Sequence, residues 1–161
     1  MLRLAVLVAA ALLLPVGSAH AEEGPTRAEY VERVEPICQA NTEANQRILE
    51  DAKTKAHSKQ QRVVSEAGGQ FIHASKAFGK TVGKLVAVPR PAADDARLLK
   101  WFEHLRIVKT NLFKLGKALK EGEKILAAHE RIRVERAANA SNNVSFVFDF
   151  HYCRLTPSRF S

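Results

Sequence analysis

Residues 98–119 read LLKWFEHLRIVKTNLFKLGKAL, and this stretch decides the fold. Seven of its apolar residues recur at alternating spacings of three and four, which is typical of a helix that buries one face in a bundle. These residues are Leu98, Trp101, Leu105, Val108, Leu112, Leu115 and Leu119. The pattern predicts a helix that begins near Pro91, has Asp94 and Asp95 at its positive end, and ends at Gly122.

The same spacing predicts three more helices, over residues 26–54, 58–86 and 123–153. Thr26 and Glu29 form a capping box that begins the first of them. Residues 146–150 alternate like a strand, but we predict helix there because no other segment would pair with a strand. The expected core positions on these three helices are Tyr30, Val34, Ile37, Ala44, Ile48 and Ala52, then Val64, Ala67, Phe71, Ala74, Phe78 and Leu85, then Ile125, Ala128, Ile132, Phe146 and Phe150.

Four helices joined by short connections predict an all-α fold, an up-down-up-down four-helix bundle. In that topology the first and fourth helices are antiparallel neighbours, which places Cys38 beside Cys153. We therefore expect a disulfide between them that closes the bundle, with unpaired or intermolecular cysteines as the alternative. Gly79 and Gly83 lie four apart on the second helix, and we expect them to let a neighbouring helix approach closely.

The first 21 residues read as a secretory signal peptide. Arg3 precedes an apolar run from Leu4 to Leu14, and the small residues Ala19 and Ala21 predict cleavage after Ala21. The run is shorter than the roughly 20 apolar residues that span a bilayer, although an uncleaved anchor remains the alternative. We expect residues 22–161 to form one helical domain that is secreted or extracytoplasmic, in a periplasm or cell wall, and not membrane-spanning. Export also favours cysteine pairing.

Charge is unevenly distributed along this basic chain, whose formal net charge is +8. Residues 22–51 hold eight acids and three arginines, whereas residues 52–93 hold eight lysines or arginines and one acid, so we expect the two segments to pack together. Lys76, Lys80 and Lys84 form a stripe with His73. This stripe predicts a docking face for an anionic polymer, a membrane surface or a protein, and a merely solvated face is the alternative. No motif accompanies it that would predict specific nucleic-acid binding.

Asparagines interrupt the apolar faces of two helices that the predicted bundle brings together. They are Asn41 and Asn45 on the first helix, and Asn139 and Asn142 on the fourth. One interpretation is an amide network that fixes the helix register, as a seam asparagine does in coiled coils. The other is a polar pocket for a small ligand, near Phe71 and Trp101.

We predict no catalytic residues, no metal site and no cofactor. Nucleophilic catalysis needs a nucleophile, a base and an orienting group, which loops usually bring together, and this chain has few loops. The histidines after residue 21 have no ligand-pair spacing, and the only methionine is Met1. A binding role is therefore expected rather than an enzymatic one.

Three short motifs carry a resemblance to a known group of proteins. They are residues 37–41 (ICQAN), residues 88–91 (VPRP) and residues 150–154 (FHYCR). With them the chain resembles small secreted all-helical proteins of actinobacteria, a group without an assigned activity. The resemblance implies an extracytoplasmic location and a helical fold, and it implies no functional residues.

Overall fold

The computed structural model describes residues 24–157, and within them it is all-helical, as predicted. The α-helices are α1 (Arg27–Ile48), α2 (Ala52–Ala56), α3 (Gln61–Ala87), α4 (Asp95–Glu121) and α5 (Lys124–Val147). One turn of 3-10 helix, Ala92–Asp94, leads into α4. The predicted signal peptide and its cleavage point lie outside the described residues.

Helix α4 is the centre of the fold, because both α3 and α5 pack along it. All seven residues of its predicted apolar stripe are buried, from Leu98 to Leu119. The predicted core positions of α3 are buried as well, and α1 and α2 pack on its far side. The acidic first helix and the basic second one are therefore neighbours, as the charge distribution predicts.

Helices α3 and α4 approach each other closely at Gly68 and Gly116. A Cβ atom on Gly68 would lie 2.6 Å from the carbonyl oxygen of Gly116, and one on Gly116 would lie 2.6 Å from that of Gly68. The close approach that we predicted at Gly83 is wrong, because a Cβ there would meet nothing within 4 Å. Gly79 is in ordinary contact, 3.5 Å from the side chain of Lys109.

The first helix begins with the predicted capping box, in which the Glu29 backbone N–H donates to the Thr26 hydroxyl. It ends at Ile48 and not at Thr54, which corrects the prediction. A side chain from α3 satisfies this helix end, since Gln70 Nε2 donates to the Ile48 carbonyl over 2.9 Å and to Asp51 Oδ1 over 2.6 Å. The chain turns there and continues as α2.

The last helix ends at Val147, so the prediction that it reaches Cys153 is wrong. Asp149 takes a left-handed conformation with φ of 54°, which lets the chain reverse. The Phe150 N–H donates to the Ser145 carbonyl and the Asp149 N–H to that of Phe146, which together make a Schellman cap. This reversal carries Phe150 into the core, where it is fully buried.

The buried face of α5 also differs from the predicted one. Ile125, Ile132 and Phe146 are exposed, and so is Ala128. Small residues face α4 instead, because the large side chains of α4 and the two phenylalanines after α5 already fill the space between the helices. The buried residues of α5 are Ala127, Glu130, Val134, Ala137, Ala138, Ser141 and Ser145.

The up-down-up-down four-helix bundle is not confirmed in the described residues, because α1 and α5 make no extended contact with each other. Helix α1 lies on α3, and it meets α5 chiefly through the segment that follows α5. The disulfide between Cys38 and Cys153 is confirmed, with 4.9 Å between the two Cα atoms. It joins α1 to that segment and not to the body of α5.

Candidate functional site

Residues 148–157, the C-terminal segment, run back between α1 and α5. Glu35 of α1 accepts hydrogen bonds from the backbone N–H groups of His151 and Tyr152, both over 2.8 Å. Asn142 of α5 accepts from the Leu155 N–H over 2.8 Å and donates to its carbonyl over 2.7 Å. The C-terminal segment therefore bridges the two helices over part of their length and holds them apart.

Next to this segment lies a groove that is bounded at one end by α1 and the C-terminal segment and at the other by α2 and α5. Its floor is made by α3 and α4, and it contains two cavities of about 270 and about 370 Å³ that both include Lys53. Phe78, Val108 and Leu112 line the first cavity. The floor of the second cavity consists of Val64, Phe71, Leu115 and Leu119. We call the two cavities together the groove.

The rim of the second cavity is basic. Lys53, His57, Lys124 and Arg131 line the second cavity, and no carboxylate is among its lining residues. Arg131 is paired with Glu135 over 2.8 Å, whereas no carboxylate among residues 24–157 lies within 4.0 Å of the ammonium groups of Lys53 or Lys124. The second cavity therefore combines an apolar floor with unneutralised positive charge.

The four asparagines of the predicted polar pocket are not brought together. Asn45 Nδ2 donates to Asn41 Oδ1 over 2.7 Å, and both residues line the first cavity. Asn142 is engaged by the backbone of Leu155, and Asn139 is exposed on the outer side of α5.

The two aromatic residues expected near that pocket are also separated. Phe71 lines the second cavity. Trp101 is fully buried, with its ring 5.1 Å from that of Phe150, measured between centroids. Of the residues that the sequence indicated, Asn41, Asn45 and Phe71 therefore line the groove, whereas Asn139, Asn142 and Trp101 do not.

The stripe of His73, Lys76, Lys80 and Lys84, the basic face, lies on the solvent side of α3, and all four residues are exposed. Between Ala67 and Ala87 the sequence contains no acid. In the described part of the chain, no carboxylate forms a salt bridge with any of the three lysines. The basic face is thus brought together as predicted, with its charge unneutralised by the protein.

Two cations of α4 extend the basic face, and sequence reasoning missed them. Arg106 and Lys109 line a shallow hollow of about 280 Å³ beside Gly79 and Gly83 of α3. The aliphatic part of Lys109 lies 3.5 Å from the position of a Cβ on Gly79. Arg106 and Lys109 are three apart on the polar side of α4, and this spacing could have identified them from the sequence.

The buried acid Asp94 joins the start of α1 to the start of α4. The Arg27 guanidinium donates to both carboxylate oxygens of Asp94, over 2.8 and 2.7 Å, and Asp94 is buried where α4 begins. These hydrogen bonds hold the pKa of the Asp94 carboxyl below its usual value. Because Arg27 is the second residue of the capped turn that begins at Thr26, the pair fixes the start of α1 against the start of α4.

Comparisons with protein-family models, with curated proteins and with solved structures found no match. The resemblance to small secreted actinobacterial proteins therefore stays a prediction. Across residues 24–157, no cluster of three or more histidine, cysteine, aspartate or glutamate side chains has metal-binding geometry. None of the helices described there has the length and apolar character needed to cross a membrane.

Proposed function

We propose that this protein is an extracytoplasmic interaction module that docks on an anionic surface through its basic face. The observation that carries the proposal is the set of exposed cations Lys76, Lys80, Lys84, Arg106 and Lys109, none of which forms a salt bridge with a carboxylate of residues 24–157. The Cys38–Cys153 disulfide supports a location outside the reducing cytoplasm. The role is one of binding and not of catalysis.

The charge arrangement supports docking on an extended partner. Lys76, Lys80 and Lys84 lie one helical turn apart, so they span about 12 Å along α3. Arg106 and Lys109 widen the same face toward α4. A surface of this kind attracts polyanions and anionic membranes at long range, and salt weakens that attraction.

The test compares two triple variants of equal charge. One replaces Lys76, Lys80 and Lys84 by glutamine, and the control replaces three other exposed lysines by glutamine, namely Lys59, Lys100 and Lys114. A lysine near an anionic membrane contributes about 1 kcal/mol, so the first variant should lose about 3 kcal/mol, or about 100-fold in affinity.

Binding to phosphatidylglycerol vesicles and to a soluble polyanion is measured by sedimentation and by titration, at low and high salt. We expect the control variant to bind nearly as well as the unchanged protein, and all binding to fade with salt. Equal losses in both variants would mean that net charge matters and not this face. Binding that is unchanged at high salt would also contradict the proposal.

As a second candidate function, we infer that the protein carries a small ligand between its helices. The open groove supports this candidate, because its two cavities have apolar floors and lie side by side. A thermal-shift screen with metals, lipids and small apolar molecules tests it, since a ligand that binds only the folded state raises its apparent stability. The absence of any shift would count against carriage.

A further inference from the structure

The floor of the groove is long and apolar. Along α3 it extends from Val64 to Phe78, which is about 21 Å at the rise of an α-helix. Opposite, α4 contributes apolar residues from Val108 to Leu119, about 16 Å at the same rise, with Leu112 lining the first cavity and Leu115 the second. This shape fits an extended hydrocarbon chain better than a compact ring system.

Charge is distributed unequally along the groove. The second cavity has Lys53 and Lys124 on its rim and no carboxylate among its lining residues. The first cavity contains Glu50 as well as Lys53 and Arg154. An anionic group is therefore favoured more in the second cavity than in the first, where Glu50 offsets part of the positive charge.

We propose that the groove binds a long-chain fatty acid, with its carboxylate between Lys53 and Lys124 and its hydrocarbon chain along the apolar floor. This inference rests on the carrier function proposed above, and it uses none of the residues of the basic face. The floor favours the methylene chain by removing it from water. The two lysines favour a carboxylate over an uncharged or cationic head group.

The test uses palmitate as the probe, and binding is measured by calorimetry and by displacement of a fluorescent fatty acid. The double variant Lys53→Glu and Lys124→Glu should weaken palmitate binding at least tenfold. The matched control, Lys59→Glu and Lys114→Glu, makes the same change in net charge at exposed lysines outside the groove, and it should bind as the unchanged protein does.

A third variant closes the groove without altering its charge. Ala128 is exposed and lines the second cavity, so Ala128→Trp should fill the cavity and leave the buried core unchanged. We expect palmitate binding to be lost, with an unaltered circular dichroism spectrum. The uncharged alcohol of the same chain length, hexadecanol, should bind at least tenfold more weakly than palmitate to the unchanged protein.

Two results would overturn the assignment. One is no palmitate binding to the unchanged protein. The other is equal binding in the groove variants and in the control, because the fatty acid would then occupy another surface. If palmitate does not bind while an uncharged or cationic molecule gives a thermal shift, the fatty-acid assignment is wrong and the carrier function stands. If nothing in the panel binds, both are wrong.

Discussion

Substituting alanine for either of two adjacent glycines should change stability in opposite directions. In Gly68→Ala, the new Cβ would lie 2.6 Å from the Gly116 carbonyl oxygen and 2.9 Å from the Lys120 backbone nitrogen, against 3.4–4 Å for ordinary contact. The helices would have to separate by nearly an ångström at their crossing. Such overpacking costs about 3 kcal/mol, near the top of its usual range, because the atoms that must move are backbone.

Helix propensity acts in the other direction, since alanine is favoured over glycine by about 1 kcal/mol inside a helix. We therefore expect Gly68→Ala to lower the free energy of unfolding by about 2 kcal/mol. In the matched control Gly69→Ala, the added Cβ meets nothing within 4 Å, so only the propensity remains. That variant should be more stable than the unchanged protein by up to about 1 kcal/mol.

The assay is urea unfolding followed by far-ultraviolet circular dichroism, under conditions that keep the disulfide intact. Equal dependence on urea concentration in all three proteins would show that the same surface is exposed on unfolding. The two variants should differ by about 3 kcal/mol. If Gly68→Ala is as stable as Gly69→Ala, the helices do not cross as closely as the structure has them, and the account of α3–α4 packing fails.

Three further predictions concern the ends of helices and the covalent link. Replacing Cys38 and Cys153 by serine should lower the free energy of unfolding by at most roughly 4–5 kcal/mol, the chain-entropy value for the 115-residue separation, and a urea titration checks this. Asp149→Gly should raise the melting temperature, because glycine relieves a left-handed conformation that costs other residues roughly 1 kcal/mol; an unchanged or lower melting temperature would contradict the Schellman cap. The folded-state pKa of Asp94 is lowered. Its contribution to the free energy of unfolding is therefore fully present above the unfolded pKa of about 3.9 and is lost as the pH falls below that value. Asp94→Asn should therefore show a weaker loss of stability below pH about 4, and an identical pH profile in both proteins would refute the role of the Arg27 pair.

The sequence was sufficient to predict a structural feature where the signal lies in neighbouring residues or in a strong periodicity. The apolar stripe of α4, the capping box at Thr26 and the turn at Gly122 were all predicted from neighbouring residues and are present. The disulfide was also predicted, although the reasoning assumed that two helices lie side by side. In the structure a reversed segment brings Cys153 to α1 instead.

The sequence was insufficient to predict a helix end that a distant side chain contacts, or a buried helix face made of small residues. Helix α1 ends at Ile48, where Gln70 of α3 donates to its carbonyl, and no residue near Ile48 predicts that end. On α5 we placed Ile125, Ile132 and Phe146 inward, whereas Ala137 and Ser141 are among the residues that are buried instead. Residue size is a poor guide when the partner helix already supplies the bulk.

The same contrast between local and distant determinants applies to the candidate sites. The basic face could be predicted because its residues lie on a single helix, and residues of one helix face are placed by the period alone. The groove could not be predicted from the sequence. It exists only because α1 and α5 make no extended contact and because the chain turns back at Asp149. Its residues come from α1 to α5 and share no sequence pattern.

The bond between Cys38 and Cys153 makes most of this chain a covalent ring. Every connection between helices after α1 lies inside that ring, including the one at Gly122 between α4 and α5. A protease that cuts one of these connections would open the ring but release no fragment, so the nicked molecule would keep all of its helices. Such a molecule would migrate as one species on a non-reducing gel and as two after reduction.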